Sequence, residues 1–345
     1  MREEIQEEAI QIALKNKHCT LNLTMRLGKT KIGLEVASKF KKVLVCYPLS
    51  TIKESWMNDS KKFNISIEHV TFSTYRSIEK HKLDEYELVI FDEVQAISIQ
   101  NWLHVSQFNV NRILGLSGTV PRQGSEKRGW VNKYCPVMYS KTLDDTAGIV
   151  TKDYKIYIHL LVPSNKNDIP LSKGRMWSER AKISFWDNKY KSSKNFMDML
   201  KVMQAIQTSK TKLDYAVDLA QELDRALIFV ETIEQCNLFP YPSYHSKNKD
   251  SEENLEKFRE YEEDKLVSVK QLGAGVTIPV SKCIITHCYS SNDKAAQRLA
   301  RCLNYTEEGD VAEVHIIGLK ATRDEQWIEA GLEAFDKTKI IYIKE

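Results

Sequence analysis

The chain has 345 residues, enough for about two domains of roughly 150 residues, each with its own core. With 42% hydrophobic and 28% charged residues but only 13 Gly and 8 Pro, it is not low-complexity, collagen-like or disordered. A net charge of +3, from 50 Lys and Arg against 47 Asp and Glu, is too small for coating nucleic acid by bulk charge, and no stretch approaches the roughly 18 apolar residues of a membrane span.

The N-terminus MREEIQEEAI is acidic where a secretion signal would be basic and then apolar, so a cytoplasmic protein without membrane attachment is expected. The 7 cysteines are scattered and form no C-x-x-C pair, which predicts reduced thiols, with Cys283 and Cys288 as core residues flanking a strand. The first third of the chain alternates helical patterns with short apolar runs: LEVASKF leads to KVLVCYP, then IEHVTFS, ELVIFDE and NRILGLSGT follow. Such alternation predicts a parallel sheet with helices on both faces. From Arg122 to Tyr215 there are 18 Lys and Arg against 9 Asp and Glu, interleaved with Trp130, Tyr134, Tyr154, Trp177, Phe185, Trp186 and Tyr190. Cations beside aromatic faces suit phosphate contact and base stacking, and a solvated helical surface with its rings turned to the core has the same composition. A second set of strands, RALIFVET, LVSVKQL, SKCIITHCY and AEVHIIGL, completes a second α/β unit, with the boundary near 145–165. The predicted domains are 1–155 and 156–345, the second opening on the basic, aromatic-rich helical segment.

Leu27-Gly28-Lys29-Thr30 follows the apolar CTLNLTM and opens the helical pattern KIGLEVASKF. A tight turn at a strand end aims helix N–H groups at phosphate oxygens, Lys reaches the β/γ-phosphates, and the Thr hydroxyl meets Mg²⁺. The pattern is incomplete, because the first glycine of G-x-x-x-x-G-K-T would fall at Leu23, and an ordinary Gly-Lys turn reads the same way. Leu88-Val89-Ile90-Phe91-Asp92-Glu93, 63 positions after Lys29, describes a buried strand that presents Asp92 to a hydrated Mg²⁺ and Glu93 to an attacking water. The two elements together point to nucleotide hydrolysis.

At this point the chain resembles the superfamily 2 helicases and translocases. Arg2-Glu3-Glu4-Ile5-Gln6 is similar to the adenine-reading R-x-x-Q segment, and Met25 to Thr30 to motif I. Tyr47-Pro48-Leu49-Ser50 with Trp56 resembles motif Ia, Phe72 to Tyr75 the strand before the acidic box, Asp92-Glu93-Val94-Gln95 that box, and Leu116 to Pro121 motif III. Leu227 to Thr232 resembles motif IV and Tyr244-His245-Ser246 the segment after it; Val267 to Pro279 resembles motif V, and Gln297-Arg298-Leu299-Ala300-Arg301 motif VI. Within the superfamily, M-x-L-G-K-T, L-S-G-T-V-P and Ala321 to Trp327 are most similar to phage recombination helicases of the UvsW type and Swi/Snf-type translocases.

The resemblance implies two tandem RecA-like domains with a cleft between them, ATP and Mg²⁺ as cofactors, and helicase or translocase activity on single-stranded, duplex or branched DNA, with RNA less favoured. Compactness and a lysine-rich composition point to a phage origin, with a role in recombination or repair, in the cytoplasm (of the host if viral), as a monomer or loose association. Gln6, Arg26, Leu27, Gly28, Lys29, Thr30, Gly275, Gln297 and Arg298 would surround the nucleotide, with Thr30 and Asp92 on the metal. Lys29, Asp92, Glu93, Gln95 and Arg301 would carry the chemistry, and Ser50, Thr51, Thr74, Thr232 and Lys270 would grip DNA. Bland readings stand beside these: capping or turn hydroxyls, a solvated Lys270, a helix-surface amide for Gln95 and a loop role for His245. Two departures matter. Arg26 replaces the usual glycine of motif I, so either the turn relaxes or the side chain projects outward. Motif VI carries neutral Asn304 where the arginine finger belongs, leaving Arg301 or Arg298 to substitute, or to pair with a carboxylate instead. A weakly hydrolysing, nucleotide-dependent DNA scaffold is the alternative function; a metabolic P-loop enzyme leaves motifs Ia, IV and V unexplained.

Overall fold

The structure is a computed structural model that describes residues 2–24, 26–148, 152–170, 175–269, 278, 280–290, 311–333 and 335–343. The chain divides into two units, Met1–Thr151 and Lys152–Glu345, and the basic, aromatic-rich segment falls mostly in the second.

In the first unit, helix α1 (Arg2–Lys15) leads into β1 (His18–Leu23), α2 (Lys29–Ala37), β2 (Val43–Tyr47), α3 (Ser50–Phe63), β3 (Val70–Thr74) and β4 (Leu88–Asp92). Then come α4 (Ile99–Val105), β5 (Ile113–Ser117), α5 (Glu126–Tyr134) and β6 (Val137–Lys141). The six strands form one parallel sheet in the order β3-β2-β4-β5-β1-β6. VLVCY, LVIFD and ILGLS are buried along their whole length, as strands covered on both faces must be. Apolar residues of α1, α2 and α3 close one face; Trp102, Tyr75, Ile78 and Val131 close the other. The order of the strands brings the ends of β4, β5 and β1 side by side, and β1 and β4 are followed by the two sequence elements singled out above.

The second unit begins with β7 (Tyr154–Leu161), then an antiparallel hairpin of β8 (Asn167–Pro170) and β9 (Met176–Ser178). Helices α6 (Glu179–Ser193), α7 (Phe196–Gln207) and α8 (Lys210–Glu222) follow, each opened by a Ser or Asn whose side chain accepts a backbone N–H. The rest comprises β10 (Ala226–Val230), α9 (Ile233–Cys236), β11 (Ser243–Tyr244), α10 (Ser251–Arg259), β12 (Lys265–Val269), β13 (Lys282–Ile285), β14 (Ala312–Leu319), α11 (Arg323–Gly331) and β15 (Ile340–Ile343). Seven parallel strands run β11-β12-β10-β13-β14-β7-β15.

Most of the basic-aromatic signal is packing. Trp186 and Tyr190 of α6 lean on the core of the second unit, and the Lys201 ammonium lies 4.3 Å from the Trp186 ring centroid while Arg323 sits 4.8 Å from Tyr190. Trp130 stacks on Tyr134, which stacks on buried Trp102. Phe185 is the aromatic of the set that stays exposed, at 48%. Cys19, Cys46, Cys135, Cys236 and Cys288 are free and buried. Cys283 is disulfide-bonded, which corrects the expectation that every thiol is reduced.

Two buried polar groups set the second unit's energetics. Lys212 Nζ meets Asp324 Oδ2 at 2.7 Å with both side chains almost fully buried, the same oxygen accepts the Leu319 N–H at 3.1 Å, and His287 Nδ1 lies 3.5 Å from Oδ1. Removing one partner of such a pair strands a desolvated charge, so Lys212→Met should cost about 3–5 kcal/mol in urea unfolding. Elsewhere, His159 Nε2 and His315 Nδ1 are 3.0 Å apart, His159 Nδ1 is 2.8 Å from the Tyr215 hydroxyl, and His315 stacks on Tyr157. Burial pushes His315 down to about 4, the neighbouring His159 and Lys282 adding to the fall, and burial lowers His159 as well. The folded unit therefore binds these protons more weakly than the unfolded chain, whose imidazoles titrate near 6.5. Their stabilising contribution is complete above that pH and is lost as the pH falls toward 4. Urea midpoints measured between pH 7 and 4 should fall less steeply in His315→Gln than in the unaltered protein.

Candidate functional site

The turn after β1 is shaped by backbone conformation. Gly28 caps α2 in the left-handed region at φ 79°, with no side chain capping the helix, so the first N–H groups of α2 stay available to an anion. A Cβ on Gly28 would meet Gln6 Nε2 at 2.5 Å, because the Gln6 amide donates to the Leu27 carbonyl at 2.9 Å and accepts from Lys31 Nζ at 3.0 Å. Gln6 is thus tied to the turn itself. Arg26 also takes the left-handed region, at φ 71°; the turn does not relax around the missing glycine. Thr30 is the second residue of α2, half-buried.

Lys29 opens α2 and reaches back over the end of β1, donating to the Leu23 carbonyl at 3.2 Å. Gly118, just past β5, leaves room for it: a Cβ there would lie 3.3 Å from Nζ. Asp92 ends β4 and is only 6% exposed. Its Oδ1 accepts the Glu93 N–H at 3.0 Å, its Oδ2 accepts the Trp56 indole N–H at 2.8 Å, and its carbonyl takes the Tyr75 hydroxyl at 2.6 Å. Burial raises the carboxyl to about 6, with Glu93 adding to the rise, while the Trp56 N–H, the Lys29 charge and the Glu93 N–H oppose it.

Glu93 turns away from the strand in the left-handed region at φ 56°, ψ 55°. Gln95 Nε2 donates to Glu93 Oε2 at 2.5 Å. The Gln95 carbonyl oxygen lies within hydrogen-bond reach of the Ser117 hydroxyl, which also accepts the Thr119 N–H at 3.2 Å. The acid pair and the segment after β5 are therefore joined by one chain of side chains, and the surface-amide reading of Gln95 gives way to a structural link. Ser117 and Tyr75 were not singled out from sequence as site residues; their contacts cross between strands and leave no local pattern.

Ser50 and Thr51 lie exposed in the first turn of α3, and Thr74 ends β3 with its hydroxyl 3.3 Å from Ser77 Oγ. In the second unit, Thr232 caps α9 in a reciprocal capping box with Gln235, so its hydroxyl is engaged as the bland reading had it. Glu231, Thr232, Glu234, Tyr244, His245 and Lys249 are among the residues lining a cavity of about 730 Å³ beyond the ends of β10, β11 and β12. Lys270, Gly275, Gln297, Arg298, Arg301 and Asn304 lie outside the described residues. The structure thus gathers Gln6, Leu27, Gly28, Lys29, Asp92, Glu93 and Gln95 at the carboxyl edge of the first sheet, where open α/β sheets bind ligands.

Comparison with known proteins agrees with this layout. Residues 209–305 match the helicase conserved C-terminal domain family. The chain is similar to the DNA 3'-5' translocase XPB2 of Sulfurisphaera tokodaii, 24% identical over 339 residues that cover 86% of this chain and 77% of the relative. Its fold is similar to the crystal structure of the Pyrococcus furiosus Hef helicase domain, with a TM-score of 0.55, 14% identity, and coverage of 95% of this chain and 96% of that one. No described helix is long and apolar enough to cross a membrane. The motif series in order along the chain, the family match over residues 209–305 and two parallel-sheet RecA-like units all agree with the resemblance to the superfamily 2 helicases and translocases.

Proposed function

We propose that the chain is an ATP-hydrolysing motor that translocates along DNA, with duplex or branched DNA as the favoured track. The observation that carries this reading is the convergence of Lys29, Asp92, Glu93 and Gln95 on one sheet edge beside an uncapped helix N-terminus. The similarity to a DNA translocase supports DNA over RNA.

The residues fit a magnesium nucleotide. The open N-terminus of α2 suits phosphate oxygens, and a Cβ at Gly28 or Gly118 would crowd the turn or Lys29. One carboxylate together with the substrate's phosphates suits Mg²⁺, which keeps several of its own waters. When bound, Mg²⁺–ATP supplies the phosphoanhydride to be cleaved and the cation that offsets its charge. Lys29 and the N–H groups of α2 bind phosphate, and Thr30 and Asp92 hold the cation. Glu93 accepts the proton of the attacking water. Gln95 orients Glu93. Arg301, or Arg298, serves as the basic group that Asn304 cannot supply, and Gln297 and Gly275 contribute to the nucleotide site. Ser50, Thr51 and Thr74 in the first unit, with Thr232 and Lys270 in the second, grip the DNA backbone.

Steady-state ATPase across single-stranded, duplex and forked DNA and RNA tests the reading. DNA should stimulate turnover, and Lys29→Ala or Glu93→Gln should lower the stimulated rate by about 100-fold or more. Nucleotide and DNA binding without turnover in the unaltered protein would replace the motor with a nucleotide-dependent scaffold.

A further inference from the structure

Trp56 is wholly buried. A buried indole needs a partner for its N–H; here the partner is the carboxylate of Asp92, at 2.8 Å. Neighbouring elements make room for that arrangement. A Cβ on Gly33 of α2 would strike the Trp56 ring at 2.5 Å, and Phe72 of β3 meets the indole edge-on, with centroids 6.2 Å apart and planes at 71°. The indole therefore joins α3, which carries it, to α2, which Lys29 and Thr30 open, and to the end of β4.

The carboxylate is held at both oxygens by different donors, Oδ1 by the Glu93 N–H and Oδ2 by Trp56. One N–H would leave the group free to turn about its Cβ–Cγ bond; two from separate elements set its plane. Each oxygen keeps a lone pair for a cation or its water. The bond from Trp56 to the ionised group is charge-assisted, the stronger class of hydrogen bond.

We propose that Trp56 is a positioning residue for the divalent cation: its N–H sets the plane in which Asp92 meets the metal. The assignment rests on the nucleotide-binding reading of this site. Partners of this kind, which touch a ligand rather than the metal, typically change metal affinity by about 10–100-fold.

The test is Mn²⁺ binding followed by electron paramagnetic resonance in the presence of ADP, which needs no hydrolysis. Trp56→Phe, which keeps an aromatic ring and removes the donor, should weaken ADP-dependent Mn²⁺ binding about tenfold or more. Phe72→Leu, which loosens the same pocket and keeps the N–H, should leave it unchanged. Should Trp56→Phe fail to fold, benzothienylalanine at position 56, with sulfur in place of N–H, carries the same expectation. Wild-type affinity in a folded donor-less variant, or equal weakening in Phe72→Leu, overturns the role of Trp56 alone. An unaltered protein that binds no Mn²⁺ with ADP overturns the nucleotide reading and this assignment together.

Discussion

A single buried carboxylate organises the first unit. Asp92 stands at the end of a strand with no exposed residue, where desolvation favours the neutral acid. Two donors and one charge counter this from three directions: the indole of α3, the backbone N–H after β4, and the positive charge of the ammonium at the start of α2. Each of those elements must hold its place for the charge to survive. The need for them explains why Gly33 has no side chain where Trp56 enters and why Gly118 has none where Lys29 lies. Local conformations that cost free energy gather at the same spot, with Arg26 and Glu93 both in the left-handed region although each carries a Cβ.

The second unit uses buried charge differently. Lys212 and Asp324 neutralise one another inside the fold, and Asp324 also takes the Leu319 N–H, so the pair stitches the start of α8 to the turn between β14 and α11. His287 comes from the segment after β13 and packs edge-on against Trp327. Lys212 meets its counterion there, although Asp324 Oδ1 has no hydrogen bond among the described residues. At the edge of the first sheet, Lys29 rests on a main-chain carbonyl and the α2 N-terminus has no side-chain cap. A ligand finds unspent donors there.

Much of this was legible in the chain. VLVCY, LVIFD and ILGLS read as buried parallel strands because nothing polar interrupts them, and Gly28-Lys29-Thr30 after β1 announced its turn through residue types that few other conformations demand. Contacts between elements were not legible. Trp56 looked like one residue of a motif, and only the fold shows its N–H on Asp92. His287 meets Asp324 and Trp327, which are distant from it along the chain and so leave no local pattern. The cations around Trp186 and Tyr190 illustrate an ambiguity of composition: lysine stems lying over a protein's own rings produce the same letters as a stacking surface for bases. The conflict at Arg26 was visible, yet its resolution depended on the surrounding turn, which imposes a positive φ on a residue that resists it.

The position of β7 has a consequence for how the protein is made. It leads its unit along the chain but lies inside the sheet, flanked by β14 and β15. A ribosome releases Tyr154–Leu161 long before Ala312–Leu319 and Ile340–Ile343, so this apolar ribbon has no neighbours on either edge until the last strands emerge. The first sheet, complete by Lys141, can close while synthesis continues; in the other unit the next-to-edge strand β7 must wait, both its edges unpaired, for the last strands to arrive.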